Sequence, residues 1–161
     1  MLNIRSANIN DADNIWGILE PVFRTGETYT LPRDITRDNA ISYWFAAGNR
    51  VFVAEEDANI LGTYSLRTNQ LGGGSHVCNC GYITAAHATG RRVARTMCFD
   101  SKEQARNSGF QAMQFNFVVS TNERAVKLWQ SLSFEIVGRL PAAFDHPSQG
   151  FVDALVMFAP L

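Results

Sequence analysis

Apolar and polar positions alternate in "LNIRSA" at the start of the chain, the mark of an edge strand, and the period then changes. In "NINDADNIWGILEPVF", Ile15, Ile18 and Leu19 recur at helical spacing, with Asn10 or Asp11 as the N-cap. Pro21 and the polar stretch "RTGETYTLPRD" are expected to interrupt this helix. "DITRDNAISYWFAAG" restarts one, with Ala40, Tyr43, Trp44 and Ala47 on one face and Gly48 at its end. "RVFVAEEDANILGTYSLRTN" reads as a hairpin whose strands "VFVAE" and "ILGTYSLR" are joined through Asp57, Ala58 and Asn59. Past the glycine-rich loop "QLGGGSH", the stretch "HVCNCGYIT" is a third long strand of this central block.

In the second half, Val93, Ala94, Met97, Cys98 and Ala105 share a helical face, and Ser108 with Gly109 supplies a stop. "FQAMQFNFVVS" has the apolar run of a strand covered on both faces. "TNERAVKLWQSL" is a helix capped by Asn122, with Ala125, Leu128, Trp129 and Leu132 inward. "FEIVGRL" and "FVDALVMFA" close the chain as strands around a loop "PAAFDHPSQG". The predicted order is strand, two helices, three strands, helix, strand, helix, two strands. Within it, the unit from His76 to Val119 requires a parallel crossover.

A length of 161 residues suits one domain spanning 1–161. A net charge of -1 and a pI near 6.3 argue against a general nucleic-acid binder, which needs an excess of Lys and Arg. No apolar run is long enough for a bilayer and no signal peptide is recognisable, so the expectation is a soluble, cytoplasmic protein with no membrane partner. Three cysteines cannot all pair within the chain and are read as reduced thiols.

Against this near-neutral balance, Arg91, Arg92 and Arg95 crowd the start of a helix, where exposed N–H groups already carry about half a positive charge. A strand feeding a helix through a small-residue turn, here "ATGRRVA", presents such groups to a phosphate. The turn is neither a P-loop, lacking G-x-x-x-x-G-K-[ST], nor a dinucleotide fingerprint, lacking G-x-G-x-x-G.

The turn resembles the pyrophosphate-binding turn [QR]-x-x-G-x-[GA] of the GNAT superfamily of acetyl-CoA-dependent N-acetyltransferases, with Thr89, Gly90, Arg91, Arg92, Val93 and Ala94 falling on it. A second block, N-x-x-A-x-x-L-Y followed by G-F, is matched by Asn122, Ala125, Leu128, Trp129, Ser133 and Phe134. Four positions depart from the pattern: Thr89 replaces Gln or Arg, Arg92 and Ser133 replace Gly, and Trp129 replaces Tyr. The resemblance implies an α/β fold of the GNAT type: a mixed, mostly antiparallel twisted sheet, helices on both faces, and a V-shaped cofactor cleft between the strands ending at Thr84 and Val119. It also implies acetyl-CoA as cosubstrate, a primary amine as acceptor and direct attack on the thioester.

The backbone of Tyr82, Ile83 and Thr84 would receive the acetyl carbonyl and the pantetheine amides, and Asn122 would bond the pantetheine arm in addition to capping its helix. Trp129 is first a core residue and second a contact near the sulfur, and an indole there cannot serve as the general acid that a Tyr provides. Glu55 and His76 are the candidates for a base, while Glu27, Tyr29 and Tyr64 sit on elements that shape the acceptor pocket. No metal is expected: His76, Cys78 and Cys80 lie two apart on one strand, with Cα atoms nearly 7 Å apart, too far to converge on one zinc. Self-association as a homodimer stays open. The alternative function is a CoA-binding regulatory or interaction module that keeps the fold without turnover, with Arg92 and Trp129 as the features that favour it.

Overall fold

The computed structural model describes residues 1–161 as one seven-stranded sheet, and no helix in it is long and apolar enough to cross a membrane. In chain order the elements are β1 (Asn3–Ser6), α1 (Ala12–Thr25), α2 (Arg37–Trp44), β2 (Arg50–Glu56), β3 (Asn59–Thr68), β4 (Val77–Thr84), α3 (Val93–Asn107), β5 (Ala112–Val119), α4 (Glu123–Ser131), β6 (Glu135–His146) and β7 (Gly150–Pro160). The sheet order is β1-β2-β3-β4-β5-β7-β6. All neighbours are antiparallel except β4 and β5. The element order is the one the hydrophobic pattern predicts, and the parallel pair is the predicted crossover.

Alternation along β3 separates the two sides of the sheet. Tyr64 points its hydroxyl to Asp100 of α3, whereas Thr63 accepts the indole N–H of Trp44 from α2 at 3.0 Å. Helices α3 and α4 therefore cover one face, and α1 and α2 the other. The faces are joined through a continuous core in which Ile15, Leu19, Trp44, Tyr64, Met97 and Met113 are fully buried.

Two local expectations in the helices are corrected and one holds. Helix α1 runs through Pro21 to Thr25 and ends at Gly26 in the left-handed region. Pro21 is exposed, so the carbonyl left without its N–H partner meets water, while Ile15, Ile18, Leu19 and Phe23 hold the helix to the sheet. The expected N-cap at Asp11 holds for α1, although its side chain makes no cap bond to the helix and instead accepts the Asn8 N–H at 2.9 Å; Asn8, which accepts the Asn10 N–H at 2.9 Å, caps the short 3-10 turn that precedes α1. In α2 the buried residues are Ala40, Ile41 and Trp44; Tyr43 is exposed where the helix borders the cleft, and Ala47 lies beyond the helix, which ends at Trp44.

At the hairpin ends, Asp57 and Ala58 alone make the β2–β3 turn, both at positive φ, and Asn59 already belongs to β3. The expected loop "PAAFDHPSQG" is mostly strand. β6 continues to His146 across a bulge between Leu140 and Phe144, where the Ala142 N–H donates to Asp153 at 2.9 Å.

Arg5 ties β1 to the start of α1 through two 2.9 Å bonds to the Asp11 carboxylate, which is nearly shut off from water while Arg5 stays about one-third exposed. These bonds, together with the Asn8 N–H, hold the Asp11 carboxyl below its ordinary range, against the opposing effect of burial. A depressed carboxylate stabilises the fold above its unfolded pKa, near 3.9, and loses that contribution as pH falls through the folded value. Asp11→Ala is expected to cost about 1 kcal/mol at pH 7, solvent at Arg5 limiting the effect. Urea titrations should show the gap to wild type narrowing below about pH 4.

Candidate functional site

Strands β4 and β5 are paired only at Val77↔Ala112 and Cys78↔Met113. Beyond Cys78 the β5-facing edge of β4 has no strand partner, and β5 turns toward β7 through a register shift between Phe115 and Val118. The opening is wedged from the α3/α4 face by aromatic rings. Trp129 lies 5.0 Å from Tyr82 and 5.1 Å from Phe115 between centroids, and Phe115 stacks on Phe134 at 4.2 Å. On the opposite face the Asn79 amide donates to the Gln114 carbonyl at 2.8 Å, bridging strands that no longer bond directly.

The result is a cleft of about 370 Å³ whose walls include Tyr29, Trp44, Arg67, Asn79, Gly81, Tyr82, Ile83, Thr84, Asn122 and Trp129. At Gly81 a Cβ would stand 3.2 Å from the Tyr29 hydroxyl, a tight approach that would press on that ring. That hydroxyl donates to the Tyr82 carbonyl at 3.3 Å on the same side.

The strand runs from Thr84 through a short turn into α3. Thr89 ends the turn, Gly90 has φ +87°, and Arg92 adopts φ +63° as the helix N-cap. The N–H groups of Arg92, Val93, Ala94 and Arg95 have no acceptor in the protein, since no side chain caps this helix. The arginines are not all unpaired, as their crowding suggested. Arg91 pairs with Glu56, and Arg95 donates to Ser131 of α4 at 2.8 Å. Arg92 alone remains without a partner, exposed beside the free N–H groups.

Asn122 caps α4 by accepting the Ala125 N–H at 3.3 Å through its side-chain oxygen. Its amide nitrogen is left over and the residue lines the cleft, so capping and ligand binding use different atoms. Trp129 is buried against its aromatic neighbours. Its indole N–H bonds no protein atom, yet no buried side-chain nitrogen or oxygen lacks a partner, so this N–H reaches accessible surface.

No Asp, Glu or His lines the cleft. Glu55 and His76, the expected bases, stand elsewhere. Glu55 accepts from Arg5 at 2.9 Å on the β1 side, and His76 is exposed just before β4, at the end away from the opening. Of the three acceptor-pocket expectations, Tyr29 lines the cleft, Glu27 is exposed, and Tyr64 is buried against α3. Burial pushes the Tyr29 and Tyr82 phenols upward. It also raises the thiols, Cys98 to about 11, Cys78 to about 12 and Cys80, which faces the cleft, well above its ordinary value. Sequence reasoning missed Arg67, Asn79 and Gly81, although the polar residues Thr63, Ser65 and Arg67 at alternate positions of β3 were a visible signal.

A family model described as acetyltransferase (GNAT) family matches residues 13–134. N-acetyltransferase aca1 of Schizosaccharomyces pombe is 25% identical over 148 residues, 81% of this chain and 71% of that protein. A GCN5-related N-acetyltransferase from Kribbella flavida is 40% identical, with a TM-score of 0.94 over 99% of this chain and 98% of its own. The structure of yncA from Salmonella typhimurium, solved with its cofactor acetyl-CoA, shares the fold at 21% identity, with a TM-score of 0.87 over 100% of this chain and 94% of that one.

Arg92 and Ser133 both stand at positive φ, +63° and +69°, a region that disfavours any side chain. Arg92→Gly and Ser133→Gly are each expected to stabilise the fold by about 1 kcal/mol. The check is a shift of the urea midpoint at unchanged slope.

Proposed function

The chain belongs to the GNAT acetyltransferase family, and on that premise we propose that it transfers the acetyl group of acetyl-CoA to a primary amine by direct attack of the amine nitrogen. It is an acetyl-CoA-dependent acyltransferase. The observation that carries the cofactor side of this reading is the set of N–H groups from Arg92 to Arg95 that have no acceptor, at the helix start where a pyrophosphate fits. Thr89, Gly90, Arg91, Arg92, Val93 and Ala94 form that turn, Arg92 reaching over the anion from its edge. The free Asn122 amide and the unpartnered β4 edge at Tyr82, Ile83 and Thr84 receive the pantetheine arm.

In the reaction the amine nitrogen bonds to the thioester carbon, a β4 N–H steadies the developing oxyanion, and the C–S bond then breaks. The CoA thiolate takes a proton and the new amide nitrogen loses one. Water carries both protons in our reading, because the cleft offers no Asp, Glu or His, and burial pushes the Tyr29 and Tyr82 phenols and the Cys80 thiol further from neutral ionisation. The same burial argues against an acetyl-cysteine intermediate, since only a thiolate is nucleophilic. Trp129 contributes shape and a hydrogen-bond donor without exchanging a proton.

The test is release of free thiol from acetyl-CoA across a panel of amines. Turnover is expected, with kcat/KM rising with pH in step with deprotonation of each acceptor's own ammonium, and without a descending limb set by the protein. A bell-shaped profile whose limbs stay fixed when the acceptor is changed would show that a protein acid and base take part. Detection of an acetylated enzyme by intact mass would replace direct attack with a two-step route. CoA binding without turnover by any amine would leave only a binding module.

A further inference from the structure

The acceptor side of the cleft has an unusual charge balance. Of twelve arginines in the chain, eight have a hydrogen-bond or ion-pair partner: Arg5, Arg24, Arg33, Arg37, Arg50, Arg91, Arg95 and Arg139. Among the four without one, Arg92, Arg106 and Arg124 are exposed to solvent, which satisfies them. Arg67 is the exception: it is half-buried, lines the cleft, and is the one charged residue there. A guanidinium partly withdrawn from water with no carboxylate near it is a standing cost unless a ligand supplies the anion.

Its position fits that role. Arg67 is opposite Asn79 in the β3–β4 register and shares the α1/α2 face with Ser65 and Gly81. It is therefore on the other side of the sheet from α3 and the proposed pyrophosphate site. Its charge reaches the Tyr29 phenol, whose hydroxyl is 3.3 Å from the Tyr82 carbonyl on the unpartnered β4 edge. The cation and the edge where acetyl transfer is placed thus line one cleft of about 370 Å³, the size of a small-molecule site. Asn79 donates to Gln114 and keeps its side-chain oxygen free, while the Asn116 amide donates to Asn69 and accepts from Gln114. A polyamine or a lysine side chain would meet a like charge here and no carboxylate.

We propose that the acceptor is a compact amine bearing its own oxyanion, a free amino acid or its phosphonate analogue, and that Arg67 holds the oxyanion while the amine faces the β4 edge near Asn79. This rests on the acetyl-transfer reading above. Arg67 thereby selects acceptors by charge, and the apolar walls at Trp44, Phe117 and Val118 receive the rest of the molecule.

The experiment compares the common amino acids, each with its amide and its decarboxylated amine, and a matched set of aminophosphonates. Thiol release and calorimetric CoA binding are measured in parallel. The expected result is a kcat/KM for the anionic member about 10² to 10⁴ above the neutral ones, a ratio that Arg67→Gln collapses toward unity and Arg67→Lys restores in part. CoA should bind Arg67→Gln as tightly as wild type, which shows that the variant is folded. Amides or simple amines acetylated as well as the acids would overturn the proposal and leave acetyl transfer standing. If nothing turns over although CoA binds, acetyl transfer fails, and binding of N-acetyl amino acids against their amides to the CoA complex decides the role of Arg67. A wild-type preference for the anion there, lost in Arg67→Gln, supports it, and equal or absent binding overturns it.

Discussion

Parallel strands with a helix between them normally stay paired along their length, yet β4 and β5 separate after Cys78 and Met113. Every feature of the cleft follows from how that separation is held open. On one face Tyr82, Phe115 and Trp129 pack as a wedge that would have to collapse if the strands closed. On the other, the Asn79 amide spans to the Gln114 carbonyl, satisfying one backbone acceptor without restoring the ladder. The unpaired edge of β4 is then stable as an open edge inside the protein, a condition that is costly unless a ligand or water completes it.

The same separation sets the two ends of the cleft apart in charge. On the α3 side, free N–H groups and Arg92 make a positive end that suits a phosphate, and Glu56 offsets Arg91, so the repulsion expected from three adjacent cations is relieved. On the α1/α2 side, Arg67 stands alone among Ser, Thr, Asn and Tyr side chains. Strain sits at the borders of the opening: Arg92 at the start of α3 and Ser133 after α4 hold backbone conformations that a glycine adopts freely. A side chain at such a position keeps the turn at some cost in stability, and Arg92 stands exposed above it.

Much of this was legible in the chain. The order of elements, the crossover, the Asn122 cap and the turn at Thr89–Ala94 all rest on local pattern, and local pattern is what sequence periodicity reports. The missed features depend on partners far away in sequence. Pro21 continues a helix because a buried stripe holds it, β6 passes Pro141 because Asp153 receives the bulge, and Arg91 is neutralised by a glutamate 35 positions earlier. Glu55 looked like a base because of its place on a strand end, but Arg5 claims it from across the sheet. Arg67 carried a faint signal in the alternation of β3, and only the fold shows that no acid accompanies it.

A cleft without an ionisable acid or base near neutrality places the burden of rate on positioning. Holding an amine against a thioester can supply several kcal/mol through effective concentration alone, provided that the reacting atoms are set within a few tenths of an ångström. The residues on which that precision depends are then not proton carriers but the ones that fix the β4 edge: Gly81, which leaves room for Tyr29, Tyr29 itself, bonded to the Tyr82 carbonyl, and Trp44, anchored through Thr63 to the Phe52 carbonyl. Each of these is held by a hydrogen bond or a close packing contact in the wall of the opening. The α1/α2 wall of the cleft is thus held in place by these contacts next to the β4 edge on which the proposed transfer depends.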